Sequence, residues 1–153
     1  PYGASVKDSL EKLNFDLYIL FKHAKLNIKT KRDLLDYKIN NIGIGRDIYE
    51  SILRTGIPTV DINSDLSWQY IYIGLKYYVY FNNYFKFNNV KALVLSHDMY
   101  IHMGIPSKIG YKFDVPTYLF SDHEFSKLEY QYQLDDRYKE FPKVFLPLKC
   151  FPP

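Results

Sequence analysis

The sequence predicts an α/β domain on three observations. Ile48, Ile52 and Leu53 fall at helical intervals after two glycines, and residues 90–95 (Val-Lys-Ala-Leu-Val-Leu) read as a strand. Residues 115–120 (Val-Pro-Thr-Tyr-Leu-Phe) form a second such run close behind it. A strand, a crossover helix and another strand within about thirty residues make the parallel βαβ unit, whose connection is nearly always right-handed.

Val6, Leu10 and Leu13 lie at helical spacing, with Ser5 placed to cap the start. The apolar run at 16–21 either continues that helix or forms a buried strand, and periodicity does not separate the two. At 42–54 a glycine-bearing loop opens into a helix, which Thr55-Gly56 ends. Residues 57–62, begun by Ile57-Pro58, read as a short strand. From Ser64 to Tyr84, the residues Leu66, Tyr70, Ile73, Tyr77, Tyr80 and Tyr84 recur every three or four positions, which predicts a largely buried helix with that stripe as its core face. A β-hairpin turning near Gly74 is the competing reading, because Tyr, Ile and Val favour strands. A membrane span is not expected there, since Gln69, Gly74 and Lys76 interrupt the run. Ser96-His97-Asp98 ends the 90–95 strand and is placed to cap the next helix. Ile105, Ile109 and Phe113 mark that helix, with Pro106 in its first turn. The polar tail, with Pro142, Pro147, Pro152 and Pro153, reads as an extended connection.

Composition narrows the class. The chain has 153 residues, the size of one domain, and 20 basic against 17 acidic residues give a formal charge of +3. That charge is too small and dispersed to imply nucleic acid. The basic run Lys29, Lys31, Arg32 reads as a solvated face. A single cysteine, Cys150, forms no internal disulfide and completes no cysteine-based zinc site. The 16 Tyr and 11 Phe suggest stacking surfaces or a large interface as readily as a compositional bias. The start Pro1-Tyr2-Gly3-Ala4 lacks the basic and apolar regions of a secretory signal, so a cytoplasmic location is expected. The chain begins without Met and stops at Phe151-Pro152-Pro153, which reads as one module of a longer protein.

Ligands of open parallel sheets collect at the carboxyl ends of strands, where Ser96, His97, Asp98 and Tyr100 fall. His97 there suits a general base, with Asp98 orienting it and Ser96 or Tyr100 binding a substrate hydroxyl. Equally, Ser96 and Asp98 simply cap, and His97 and His102 are structural. Gly43-Ile44-Gly45-Arg46-Asp47 offers amides at a helix start and a cationic side chain to an anion. It nevertheless lacks the third glycine of a dinucleotide fingerprint and the Gly-Lys-Ser/Thr of a phosphate loop. Asp47 and Glu50, one turn apart, either share an acid/base face or begin a solvated helix. No metal-binding or nucleophile-elbow motif is present, so neither a metal nor another cofactor is expected.

The stretch Ile42-Gly43-Ile44-Gly45-Arg46-Asp47-Ile48-Tyr49-Glu50-Ser51-Ile52-Leu53-Arg54, followed by Pro58-Thr59-Val60-Asp61, resembles a segment of bacterial capsule and surface-polysaccharide biosynthesis proteins. Val94-Leu95-Ser96-His97-Asp98-Met99-Tyr100, continuing through Gly104-Ile105-Pro106-Ser107-Lys108-Ile109-Gly110 to Val115-Pro116-Thr117-Tyr118, resembles a later segment of the same proteins. Arg46 and Lys108 depart from the pattern, which has an acidic or small residue and an Arg in those places. The resemblance covers about residues 35–125 and implies a glycosyltransferase of the two-Rossmann-domain type. Residues 1–125 would be a Rossmann-like three-layer, acceptor-side domain with a mainly parallel sheet, and 126–153 a linker to a donor domain. It further implies a nucleotide-sugar donor, a glycan acceptor and peripheral association with the inner face of the membrane. Asp47 or His97 would be the catalytic base, with Gly45, Arg46, Tyr49, Arg54, Ser96 and Tyr100 lining the acceptor cleft. The alternatives are a non-catalytic α/β interaction module and a small-ligand or nucleotide binder using the Gly43-to-Asp47 loop.

Overall fold

The computed structural model describes residues 6–121 and 124–128. Helix α1 (Val6–Asn27) absorbs the ambiguous run at 16–21, because Leu17 and Ala24, continued by Ile28 just past its end, bury one side of it against the core. Its expected cap, Ser5, lies outside the described residues, as do Cys150 and the proline-bearing tail beyond Leu128. Helix α2 (Lys31–Leu35) starts at Thr30 through a reciprocal capping box: Asp33 N donates to Thr30 Oγ1 at 3.2 Å, and Thr30 N donates to Asp33 Oδ2 at 2.8 Å. The neighbouring basic run is tied up locally, with Arg32 paired to Asp36 and Lys31 Nζ donating to Thr59 Oγ1 at 2.6 Å.

A two-residue hairpin joins strands β1 (Lys38–Ile39) and β2 (Ile42–Gly43). Asn40 and Asn41 turn it with φ of 49° and 66°, the left-handed pair that matches strand twist and that asparagine tolerates. Helix α3 (Gly45–Leu53) follows at once, and the turn after it closes at Gly56, whose φ is 91°. Residues 57–62 do not form the expected strand. Pro58 offers no amide, and the segment instead buries Val60 and Ile62 as side chains while Asp61 turns it: Asn63 N donates to Asp61 Oδ1 at 2.9 Å, and Ser64 and Ser67 both donate to the Asp61 carbonyl.

Helix α4 (Asp65–Phe87), capped by Ser64, is a helix and not a hairpin. Its buried face is the set Ile71, Leu75, Tyr78, Val79 and Phe85, while Ile73, Tyr80 and Tyr84 are exposed. Of the stripe expected to be core, Ile73, Tyr80 and Tyr84 therefore face outward, while Leu66, Tyr70 and Tyr77 are half-buried at the edge of the core. Apolar and aromatic residues occupy several faces of this helix, and packing of α1, α3 and α5 against α4 covers the one that carries Ile71, Leu75, Tyr78 and Val79. Gly74, the supposed hairpin turn, is the crossing point with α3: a Cβ there would stand 2.5 Å from the Ile48 side chain.

Strand β3 (Leu93–Leu95) is shorter than the 90–95 run. It leads into one π-helical turn (Tyr100–Gly104), helix α5 (Ile105–Lys112) with Pro106 in its first turn, and strand β4 (Thr117–Ser121). β3 and β4 are parallel, in register from Leu93 with Thr117 to Leu95 with Leu119, so the βαβ unit is present. Ser96 and Asp98 do not cap it: the helical run begins after Met99, with no side-chain cap. Strand β5 (Glu124–Lys127) adds antiparallel to β4, giving a small mixed sheet of order β3-β4-β5 in an α/β arrangement. Residues 126 and 127, expected in a linker, belong to that strand.

Candidate functional site

The segments at 42–54 and 94–110 meet in space through three links. First, Lys108 Nζ donates to Asp47 Oδ2 at 2.8 Å and to the Gly43 carbonyl at 2.5 Å. Asp47 is 0% exposed and Lys108 2%. Taking both charges out of water is costly, and only close pairing with extra hydrogen bonds offsets it. Gly104 presses on the same carboxylate, since a Cβ there would lie 2.2 Å from Asp47 Oδ1. Second, Ser51 Oγ donates to the Asp47 carbonyl at 2.7 Å and accepts from Ile101 N at 2.9 Å. Third, the Arg54 guanidinium carbon lies 4.8 Å from the centre of the Tyr100 ring.

Tyr100 has φ of 63°, a conformation that a bulky residue rarely adopts. Such a residue costs about 1–3 kcal/mol and persists only where its surroundings over-determine it. The Ser51 hydroxyl on the next amide does so here, and the π-helical turn that Tyr100 opens is itself a form concentrated at functional sites. The result is a cluster of rings. Tyr100 and His102 lie parallel with centres 6.1 Å apart, and His97 stands edge-on to both, at 5.5 and 5.3 Å. His102 is held below the ordinary histidine pKa, first by burial of part of its ring, then by the positive charges of His97 and Arg54. His97 is half-buried, and its Nδ1 has no hydrogen-bond partner among the described residues.

This cluster edges an open cavity of about 410 Å3 lined by Ser51, Arg54, Thr55, Tyr70, Ile73, Tyr77, Tyr100, Ile101 and His102. Volume, aromatic walls and a few polar groups at one end are the ordinary attributes of a small-ligand site. Among the expected site residues, Arg54 and Tyr100 line it and His97 touches two of its rings. Asp47 does not reach it. Its carboxylate is sealed in the core as the partner of Lys108, whereas His97, the other expected base, stands beside the cavity.

Gly45 is likewise structural: it packs so tightly under the end of α2 that a Cβ would collide with the Leu34 carbonyl oxygen. Arg46 and Tyr49 are half-buried on α3, and Ser96 is exposed after β3; none of the three lines the cavity. Ser51, Tyr70, Tyr77 and His102 are functional candidates that the sequence did not single out as such. Tyr70 and Tyr77 lay hidden in a stripe read as core, and Ser51 within a motif whose charged residues drew attention first. Among the described residues, no group of three or more His, Cys, Asp or Glu side chains is placed to hold a metal, and no helix is long and apolar enough to cross a membrane. No protein-family model matches the chain, and no curated protein or solved structure matches it either.

Proposed function

We propose that this chain is the acceptor-side half of a bacterial surface-polysaccharide glycosyltransferase, with the cavity between α3, α4 and the Tyr100 turn as its glycan site. One observation carries the reading: the segments at 42–54 and 94–110, which separately bear the resemblance, close on one another and on one aromatic cavity. Sugar rings present apolar faces to aromatic walls and hydroxyls to polar edges, and Tyr70, Tyr77 and Tyr100 beside Arg54, Thr55 and His102 offer both. His102 borders the cavity directly and is biased toward the neutral imidazole that a base requires near pH 7, with His97 against it. The parallel β3–α5–β4 unit supports a Rossmann-like layering, with the cavity beyond the carboxyl end of β3. On this reading a nucleotide-sugar donor is held by a further domain.

The test is saccharide binding by the 153-residue chain, measured by saturation-transfer NMR against a panel of bacterial cell-surface oligosaccharides. Binding that Tyr100→Ala abolishes, while the far-ultraviolet circular dichroism spectrum stays unchanged, is the expected result. Absence of saturation transfer to every saccharide would overturn the reading. A second reading, a non-catalytic interaction module, is favoured by the exposed aromatic face of α4, where Tyr80 and Tyr84 stack at 6.0 Å. It predicts concentration-dependent association in sedimentation velocity that Tyr80→Lys reverses.

A further inference from the structure

The formal charge lining the cavity is positive. Arg54 is its formal cation, His97 and His102 stand within one ring cluster beside it, and no Asp or Glu is among the lining residues. Of the carboxylates nearest in sequence, Asp47 is sealed against Lys108, and Glu50 and Asp98 are not among the residues that line the cavity. Arg54 is exposed, its guanidinium carbon lies 4.8 Å over the centre of the Tyr100 ring, and no side-chain hydrogen bond or ion pair among the described residues engages it. A planar fork of five donors resting over an aromatic ring matches the oxygens of a carboxylate or phosphate. Tyr100 is held by the amide that follows it, since Ile101 N donates to Ser51 Oγ at 2.9 Å and anchors the turn under Arg54.

We infer that the saccharide taken by this cleft is anionic, its carboxylate or phosphate ester paired with Arg54 while its ring lies against the tyrosines. This rests on the glycan reading above and adds the substrate class. The shared chemistry is an oxyanion on a sugar; a uronic acid and a sugar phosphate are its two sources.

The 153-residue chain, labelled with 15N, would be titrated at constant ionic strength with a neutral hexose oligosaccharide, its uronic acid counterpart, a hexose phosphate, and inorganic phosphate alone. At least tenfold tighter binding of an anionic sugar than of the neutral one, with the largest shifts at the amides of Tyr100, Ile101 and His102, supports the inference; whichever anionic sugar binds tighter identifies the source. Arg54→Gln should remove the tenfold advantage and leave the dispersion of the spectrum intact, and Arg54→Lys should restore only part of it. Equal affinity for neutral and anionic sugars would overturn the inference and leave the glycan reading standing. Binding of inorganic phosphate without any saccharide would overturn both.

Discussion

Asp47 and Lys108 lie 61 positions apart and form a buried ion pair. Removing one partner strands the other charge in the core, which costs about 3–5 kcal/mol, whereas replacing both with apolar residues of similar size is often neutral. Asp47→Asn should therefore lower the urea midpoint sharply, and Asp47→Leu combined with Lys108→Met should recover most of the loss. A cycle in which the double variant is no better than the single would show that the pair is not the source of the effect. His102 gives a pH prediction of definite sign. Its folded-state pKa lies below the ordinary value of 6.5, so the unfolded chain binds the proton more readily. The contribution to stability is present above that value and lost as pH falls through it. Melting temperatures measured from pH 7.5 to 5.5 should decline, and His102→Gln should flatten the decline.

At the scale of elements, helix α4 separates pattern from packing. Leu75 is fully buried and Tyr80 is 54% exposed, although both are apolar positions of one helix. Leu75→Ala should cost about 2–5 kcal/mol through lost transfer energy and a cavity, while Tyr80→Lys should stay within about 0.5 kcal/mol. Equal costs in chemical denaturation would contradict the observed face. The Asn40-Asn41 hairpin offers the opposite kind of test. Both residues sit in left-handed backbone, and glycine at the second position is the preferred partner of asparagine in such turns. Asn41→Gly should hold or raise stability by up to about 1 kcal/mol, read from thermal unfolding.

At the scale of the molecule, α4 is the element on which the rest is assembled: α1, α3 and α5 all pack against it, and α5 connects it to the small sheet. The cavity forms where α3, α4 and the Tyr100 turn converge, so it belongs to no single segment of the chain. That is why only part of it was legible. Arg54, Tyr100 and His97 stood in motifs with visible chemistry, whereas Tyr70 and Tyr77 look the same in sequence as their core neighbours.

The sequence by itself determined the local structure. Glycines, prolines and caps bounded α3, α4 and α5, and the apolar runs near residues 93 and 117 specified the parallel strand pair, because these signals act through backbone geometry over a few residues. Only the tertiary structure decided which face of α4 is covered, that residues 57–62 find no strand partner, and that Asp47 is buried against Lys108. Each of those depends on which distant surface arrives to exclude water, and burial, unlike helix propensity, is a property of the pair of surfaces that meet.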